Sequence, residues 1–204
     1  MADHNANSRL EAFCDGVFAI ALTLLIIEIR APERESIQTT SALWAELRHL
    51  APSMFAFVLS FCIILITWVN HHATIKLVPR SSASFIYANG FLLLTVVFIP
   101  FPTALLGQFI GTEHAAPTVM LYNAVLAIQA LGWIAVTATA RADGLCRDEV
   151  AAATLRENGR KGYFAFALYG VLAIVGLWLP IAVAAVTTAS WLLWLLISIR
   201  MKHA

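Results

Sequence analysis

Long apolar runs alternate with short polar breaks along the chain, and the runs have the length of membrane spans. A spanning α-helix needs about 20 predominantly apolar residues, and six stretches meet that requirement: roughly 10–29, 50–72, 84–106, 117–140, 162–179 and 181–199. The pattern predicts an all-α, polytopic membrane protein, a single domain of six transmembrane helices over residues 1–204. Between the runs lie a loop at 30–49 holding an interfacial turn at 42–46, polar loops at 73–83 and 141–161, a short link at 107–116 and a tight turn at Pro180. None of these breaks accommodates a soluble domain.

Composition agrees with that reading. Of the 204 residues 60% are hydrophobic and only 12% charged, with a mean hydropathy of +0.80, whereas a soluble domain is about a quarter charged. The net charge of +1 and the absence of a basic patch give no sign of a nucleic-acid partner. Arginine and lysine placement is more informative. Arg9, Lys76, Arg80, Arg141, Arg147, Arg156, Arg160, Lys161, Arg200 and Lys202 fall on one side of a six-helix topology, and Arg30, Arg34 and Arg48 on the other. The positive-inside rule then places both termini in the cytoplasm of a cell, or inner, membrane. Gly16 to Ile27 has the length of a signal-peptide core. Acidic Glu11 and Asp15 stand where a basic flank belongs, and no small-residue cleavage site follows, so the segment is expected in the mature protein. Cys14, Cys62 and Cys146 form no paired motif and read as reduced packing residues. Trp44, Trp178 and Tyr163 lie near predicted helix ends as interfacial anchors, whereas Trp68, Trp133 and Trp194 need packing partners.

The first helix carries the candidate chemistry. Ile20, Leu24 and Ile27 recur at i, i+4 and i+7, with Thr23 beside them, which makes one stripe of branched apolar side chains and a hydroxyl. Asp15 lies five residues before Ile20, about 140° round the axis, so it faces elsewhere. A carboxylate in hydrocarbon costs on the order of 3 kcal/mol by insertion scales and therefore faces a partner or water. The end of the second helix reads Trp68-Val69-Asn70-His71-His72 and offers donors at the same predicted depth, giving an expected polar network between helices 1 and 2. The competing reading leaves Asp15 and Glu11 in the headgroup zone beside Arg9. A metal site at His71 and His72 is disfavoured, because adjacent helical residues diverge by about 100° and no further ligands stand at chelating spacing. Neither a GxSxG elbow, nor a glycine-rich phosphate loop, nor paired intramembrane carboxylates are present, so no enzyme and no cofactor are indicated. A TVGYG-type filter is absent as well.

Arg9, Phe13, Cys14 and Asp15 match an Arg-x-x-x-Phe-Ser-Asp motif with cysteine in place of serine, and the Trp-Val-Asn-His-His segment follows at the end of helix 2. With these the chain resembles the prokaryotic branch of the transmembrane protein 175 family, the lysosomal-type potassium channels. The resemblance implies a homotetramer in which helix 1 of each copy lines a central pore, with potassium ions as the permeant species. It places the constriction at Ile20, followed by Leu24 and Ile27 along the same stripe, and Thr23 at the family's threonine. Such an apolar ring closes by steric fit and dewetting. Potassium surrenders water more readily than sodium, so hydroxyls from Thr23 favour it weakly to moderately. Glu28 has two readings, an acidic ring at the pore mouth or an ion pair with Arg30 or Arg48. The polar network would comprise Arg9, Phe13, Cys14, Asp15, Trp68, Asn70, His71 and His72. The principal rival is a proton- or ion-coupled secondary transporter using Asp15 with His71 or His72 as a titratable relay, against which stands the lack of an internal repeat. A purely structural membrane scaffold is the third class.

Overall fold

The computed structural model describes residues 7–200, without the side chains of Ser36 and residues 196–200. All regular structure among them is helical. Helix α1 (Ser8–Leu24) tightens into a 3-10 turn (Leu25–Glu28). After an extended segment comes α2 (Thr40–His49), started by Thr39, whose hydroxyl accepts the Ala42 N–H at 3.1 Å. None of its described residues is buried. The stretch expected to be an interfacial turn at 42–46 is thus the middle of a short surface helix.

Four helical segments have the length and apolarity to cross a membrane: Ser8–Glu28, Ala51–Ile75 (α3), Ala83–Phe109 and Ala115–Ala142 (α6). The third is two helices, α4 (Ala83–Phe98) and α5 (Pro100–Phe109), rather than the single helix expected over 84–106. Pro100 has no N–H, and its ring displaces the carbonyl four residues earlier, so the ladder breaks there. The Ile99 N–H closes the first half by bonding the Val96 carbonyl at 3.2 Å. The remaining helices are α7 (Glu149–Val175) and α8 (Pro180–Arg200).

α7 begins at Glu149, not at 162, and most of the loop expected at 141–161 is helix. Hydropathy marks where a helix is apolar, not where it starts. Arg156, Glu157, Arg160 and Lys161 lower the apolarity of the first turns without interrupting them. Asp148 starts the helix with a carboxylate that accepts the Ala151 N–H at 2.7 Å. The turn before it is a Schellman closure: Gly144 has φ of 63°, its N–H bonds the Arg141 carbonyl, and the Leu145 N–H bonds the Ala140 carbonyl at 2.9 Å.

α6 runs through the middle of the subunit, with α4 and α5 on one side and α7 and α8 on the other. α1 packs on α3 and α4. The larger core joins Phe18 of α1 and Leu25 of the 3-10 turn to Ile63 and Ile64 of α3, Val96 of α4 and Val119 and Tyr122 of α6. A second cluster, around Val78, Phe85, Leu92, Val136 and Leu155, closes the end that carries the α3–α4 and α6–α7 loops. There the Arg147 N–H bonds the Leu77 carbonyl at 2.9 Å and ties the two loops together. α5 approaches α3 so closely at Gly107 that a Cβ would come within 2.7 Å of the Ser53 Cα.

Candidate channel-lining helix and its polar clasp

Two opposite environments meet on α1. Cys14, Phe18, Ala21 and Leu25 recur at i, i+4, i+7 and i+11 and are sealed in the core. On the other side Phe13, Ile20, Leu24 and Ile27 are 62%, 58%, 37% and 67% exposed in the single subunit, beside exposed Thr23 and Glu28. The expected stripe is therefore one continuous uncovered surface, and Phe13 belongs to it rather than to the polar network. The Thr23 hydroxyl donates to the Ile20 carbonyl at 2.8 Å, which commits its proton to the helix and leaves oxygen lone pairs facing outward. The 3-10 turn alters the far end. Four residues at about 120° each, instead of about 100°, carry Glu28 about 80° further round than an α-helix would. Glu28 thus leaves the line of Ile20 and Leu24, and Ile27 stays close to it.

Beneath the buried face, α1 is fastened to α3. The Trp68 indole N–H donates to Asp15 Oδ1 at 2.8 Å, the one hydrogen bond an indole can make. One turn away His72 Nδ1 lies 3.0 Å from Glu11 Oε1, an ion-pair distance without hydrogen-bond alignment, and the His72 ring stacks on Trp68 with centroids 6.0 Å apart. Glu11 and Asp15 are four residues apart on α1, as are Trp68 and His72 on α3, so the helices meet in two rungs. Sequence reasoning placed Asp15, Trp68 and His72 in a network, and they come together; Glu11 joins them from the headgroup-zone alternative.

Four other expected members lie elsewhere. Arg9 and Asn70 are exposed, and Cys14 is buried among apolar side chains. His71 turns to the opposite side of α3, where Nε2 meets Asn89 Oδ1 at 2.8 Å, while Asn89 Nδ2 donates to the Phe85 carbonyl at 2.7 Å. With the Asn89 amide committed in that way, Nε2 must carry the imidazole proton, and Nδ1 is an acceptor without a protein partner. Phe18 and Trp133 rings pack on it at 5.4 and 6.4 Å. Sequence reasoning missed Asn89, and also a buried set in which the Ser60 hydroxyl meets Thr103 at 2.7 Å and Tyr122 at 2.8 Å, linking α3, α5 and α6. The signal for both was a neutral polar residue inside an apolar run, which carries no partner preference by itself. Among the described residues no group of three or more histidine, cysteine, aspartate or glutamate side chains converges as a metal site.

Comparison with known proteins bears on this arrangement. Residues 9–100 match the family described as endosomal/lysosomal potassium channel TMEM175. A potassium channel of Chamaesiphon minutus is 38% identical over 190 residues, covering 90% of this chain and 92% of that protein. The crystal structure of a lysosomal potassium-selective channel TMEM175 homolog from the same organism superposes with a TM-score of 0.80 at 34% identity, over 94% of this chain and 97% of that one. The mouse endosomal/lysosomal proton channel TMEM175 is 30% identical over 99 residues, 46% of this chain but 19% of that protein. These relatives are channels, not enzymes. Apolar helices of spanning length, the α1–α3 clasp and near full-length similarity converge on one conclusion: the chain is a multi-pass membrane protein and belongs to the TMEM175 channel family.

Proposed function

We propose that the chain is a potassium-permeable cation channel, assembled as a homotetramer in the cell membrane with α1 of each copy lining the central pore. Six spans then cross the bilayer, α7 and α8 being the fifth and sixth, with both termini cytoplasmic. One observation carries this reading: the uncovered Ile20–Leu24–Ile27 stripe stands on a helix whose other face is locked into its own subunit. Lipid covers an apolar stripe as well as protein does, so the reading rests on the pairing of that bare stripe with a locked opposite face, and four copies round an axis bring their stripes together.

In that assembly Ile20, Leu24 and Ile27 form the constriction, which gates by steric closure and dewetting because hydrocarbon offers a cation no ligand. Thr23 stands between them with its proton already bonded to Ile20, so its oxygen replaces part of the hydration shell of a passing ion. That substitution gives potassium a weak to moderate advantage over sodium. Glu28, swung off the stripe, acts at the mouth through its field rather than as an axial ligand. Asp15 and Trp68 hold the pore helix on the rest of the subunit. The proton-coupled alternative needs Asp15 to meet His71 or His72; Asp15 meets Trp68 instead, and His71 meets Asn89.

Single-channel recording of reconstituted wild type beside Ile20→Ala, Leu24→Ala and Thr23→Ala tests the reading. The two aliphatic truncations are expected to raise basal current, and Thr23→Ala to lower the potassium-to-sodium permeability ratio. Unchanged conductance and selectivity in all three overturns the proposed pore.

A further inference from the structure

A cavity of about 220 Å³ lies away from the α1 stripe, between α3, α6, α7 and α8. Its polar lining is neutral except for one cation, Lys161, and includes Asn70, Asn158 and the hydroxyls of Thr67, Thr74 and Thr154. Gln129, one of the lining residues, is 2% exposed, and its buried amide nitrogen has no hydrogen-bond partner. The Trp191 indole N–H in the same wall is buried and equally unpartnered. Lys161 reaches the cavity from α7 and pairs with no carboxylate among the described residues, and no aspartate or glutamate lines the space. A buried donor left without an acceptor costs about 1–3 kcal/mol, so the wall is built to receive acceptors and negative charge. The rest of the lining is flat and aromatic: Trp133, Trp194 and Tyr169 join Trp191, with the Tyr169 and Trp191 rings stacked 6.0 Å apart at 12°.

We propose that this cavity binds a small aromatic monocarboxylate. The indole and phenol faces stack on its ring, and the carboxylate takes the cation of Lys161 together with the orphaned donors of Gln129 and Trp191. The volume is below the range of about 300–1,000 Å³ typical of drug-sized ligands, which excludes a two-chain phospholipid and suits a single ring with a short acid arm. An organic cation meets the like charge of Lys161 with no carboxylate in the lining to offset it, and is disfavoured. The ligand bridges α3 and α7, and its α3 contacts lie beside the segment that clasps α1.

Titration calorimetry of the purified channel in detergent tests the site with three probes: 4-bromophenylacetate, its amine counterpart 4-bromophenethylamine, and hexanoate. The aromatic acid is expected to saturate at one equivalent per chain, with the amine roughly tenfold weaker or more, as loss of one charge-assisted bond implies, and hexanoate several-fold weaker, as loss of ring stacking implies. Lys161→Met is expected to weaken the aromatic acid by a similar factor, Lys161→Arg to retain it, and Gln129→Leu to weaken it while leaving the amine unaffected. Equal binding of acid and amine, an unchanged affinity in Lys161→Met, or no heat with any probe overturns the proposal, the last showing a cavity that holds water only. Hexanoate binding as tightly as the ring acid overturns the aromatic assignment.

Discussion

Asp15 finds its donor 53 positions away in sequence, and the pairing explains why the position tolerates a carboxylate at all. Trp68→Phe keeps the ring against His72 and removes only the N–H, leaving Asp15 Oδ1 without its donor. The expected cost is about 1–3 kcal/mol, read as a lower denaturation midpoint of the purified channel. Adding Asp15→Asn is expected to return part of that loss, because it removes the charge left unpaired, so the two substitutions are non-additive. Additive effects would show that the bond contributes nothing to stability. This contact was legible in the sequence, since a carboxylate in an apolar helix demands a partner and the end of helix 2 held the donors at matching depth. The His71–Asn89 contact was not legible. Periodicity assigns faces only to residues whose hydropathy differs from their surroundings, and it does not say which of two adjacent histidines turns inward. Nor did it separate Phe13, an apolar residue inside a polar motif, from the carboxylate two positions on; only the placement of the core does that.

Existence of the helices was read more accurately than their limits, and each discrepancy has a local cause. The apolar run through 84–106 hides the α4–α5 break, because Pro100 is itself apolar and registers as continuity. The charged start of α7 was assigned to a loop for the opposite reason, although the strongest helix-start signal in that region, Asp148 ahead of Glu149 and three alanines, lies in the sequence. Asp148 leads to a second prediction. Its carboxyl is held below the ordinary carboxylate range chiefly by the Ala151 N–H and then by Arg147, with their 3.0 Å contact through Nε. A depressed folded-state pKa means that the cap's contribution is fully present above the ordinary value of about 4 and is lost as pH falls through the lowered one. Between pH 7 and 5 the start of α7 is therefore expected to be indifferent to pH. Asp148→Ala removes the cap at every pH, and amide exchange at Val150 to Ala153 should rise at pH 7. Protection unchanged in that variant would show that Arg147 and the Leu77 loop, not the carboxylate, start the helix. Asp143, lowered in the same sense by hydroxyls of Ser82 and Ser84, ties the start of α4 to the end of α6.

The distribution of covered and uncovered surface is what the proposed pore rests on. α6 is enclosed by neighbours, α7 and α8 show one side outward, and α1 stands at the edge of the subunit with its apolar stripe turned away from every other described helix. Lipid would cover such a stripe without organising it, whereas a fourfold axis repeats it into a ring. Four chains of 22.3 kDa give about 89 kDa, the mass expected for the detergent-solubilised particle by native mass spectrometry. Mass alone does not place α1 at the centre, so the geometry needs a chemical reporter. In the proposed tetramer Ile20→Cys, in a background with Cys62→Ser and Cys146→Ser, would put four thiols on the axis. Soft cadmium ions seek converging thiolates, so Ile20→Cys is expected to be blocked by cadmium at concentrations that leave the background channel untouched. Val171→Cys supplies the control, because Val171 is also exposed but lies on α7, and there cadmium should do nothing. Cys14 stays in both channels, since it is sealed on the buried face of α1 and presents no accessible thiolate. Block in both variants, or in neither, would mean that α1 meets lipid rather than its own copies. The constriction would then have to be sought on another helix, even with a particle of the expected mass.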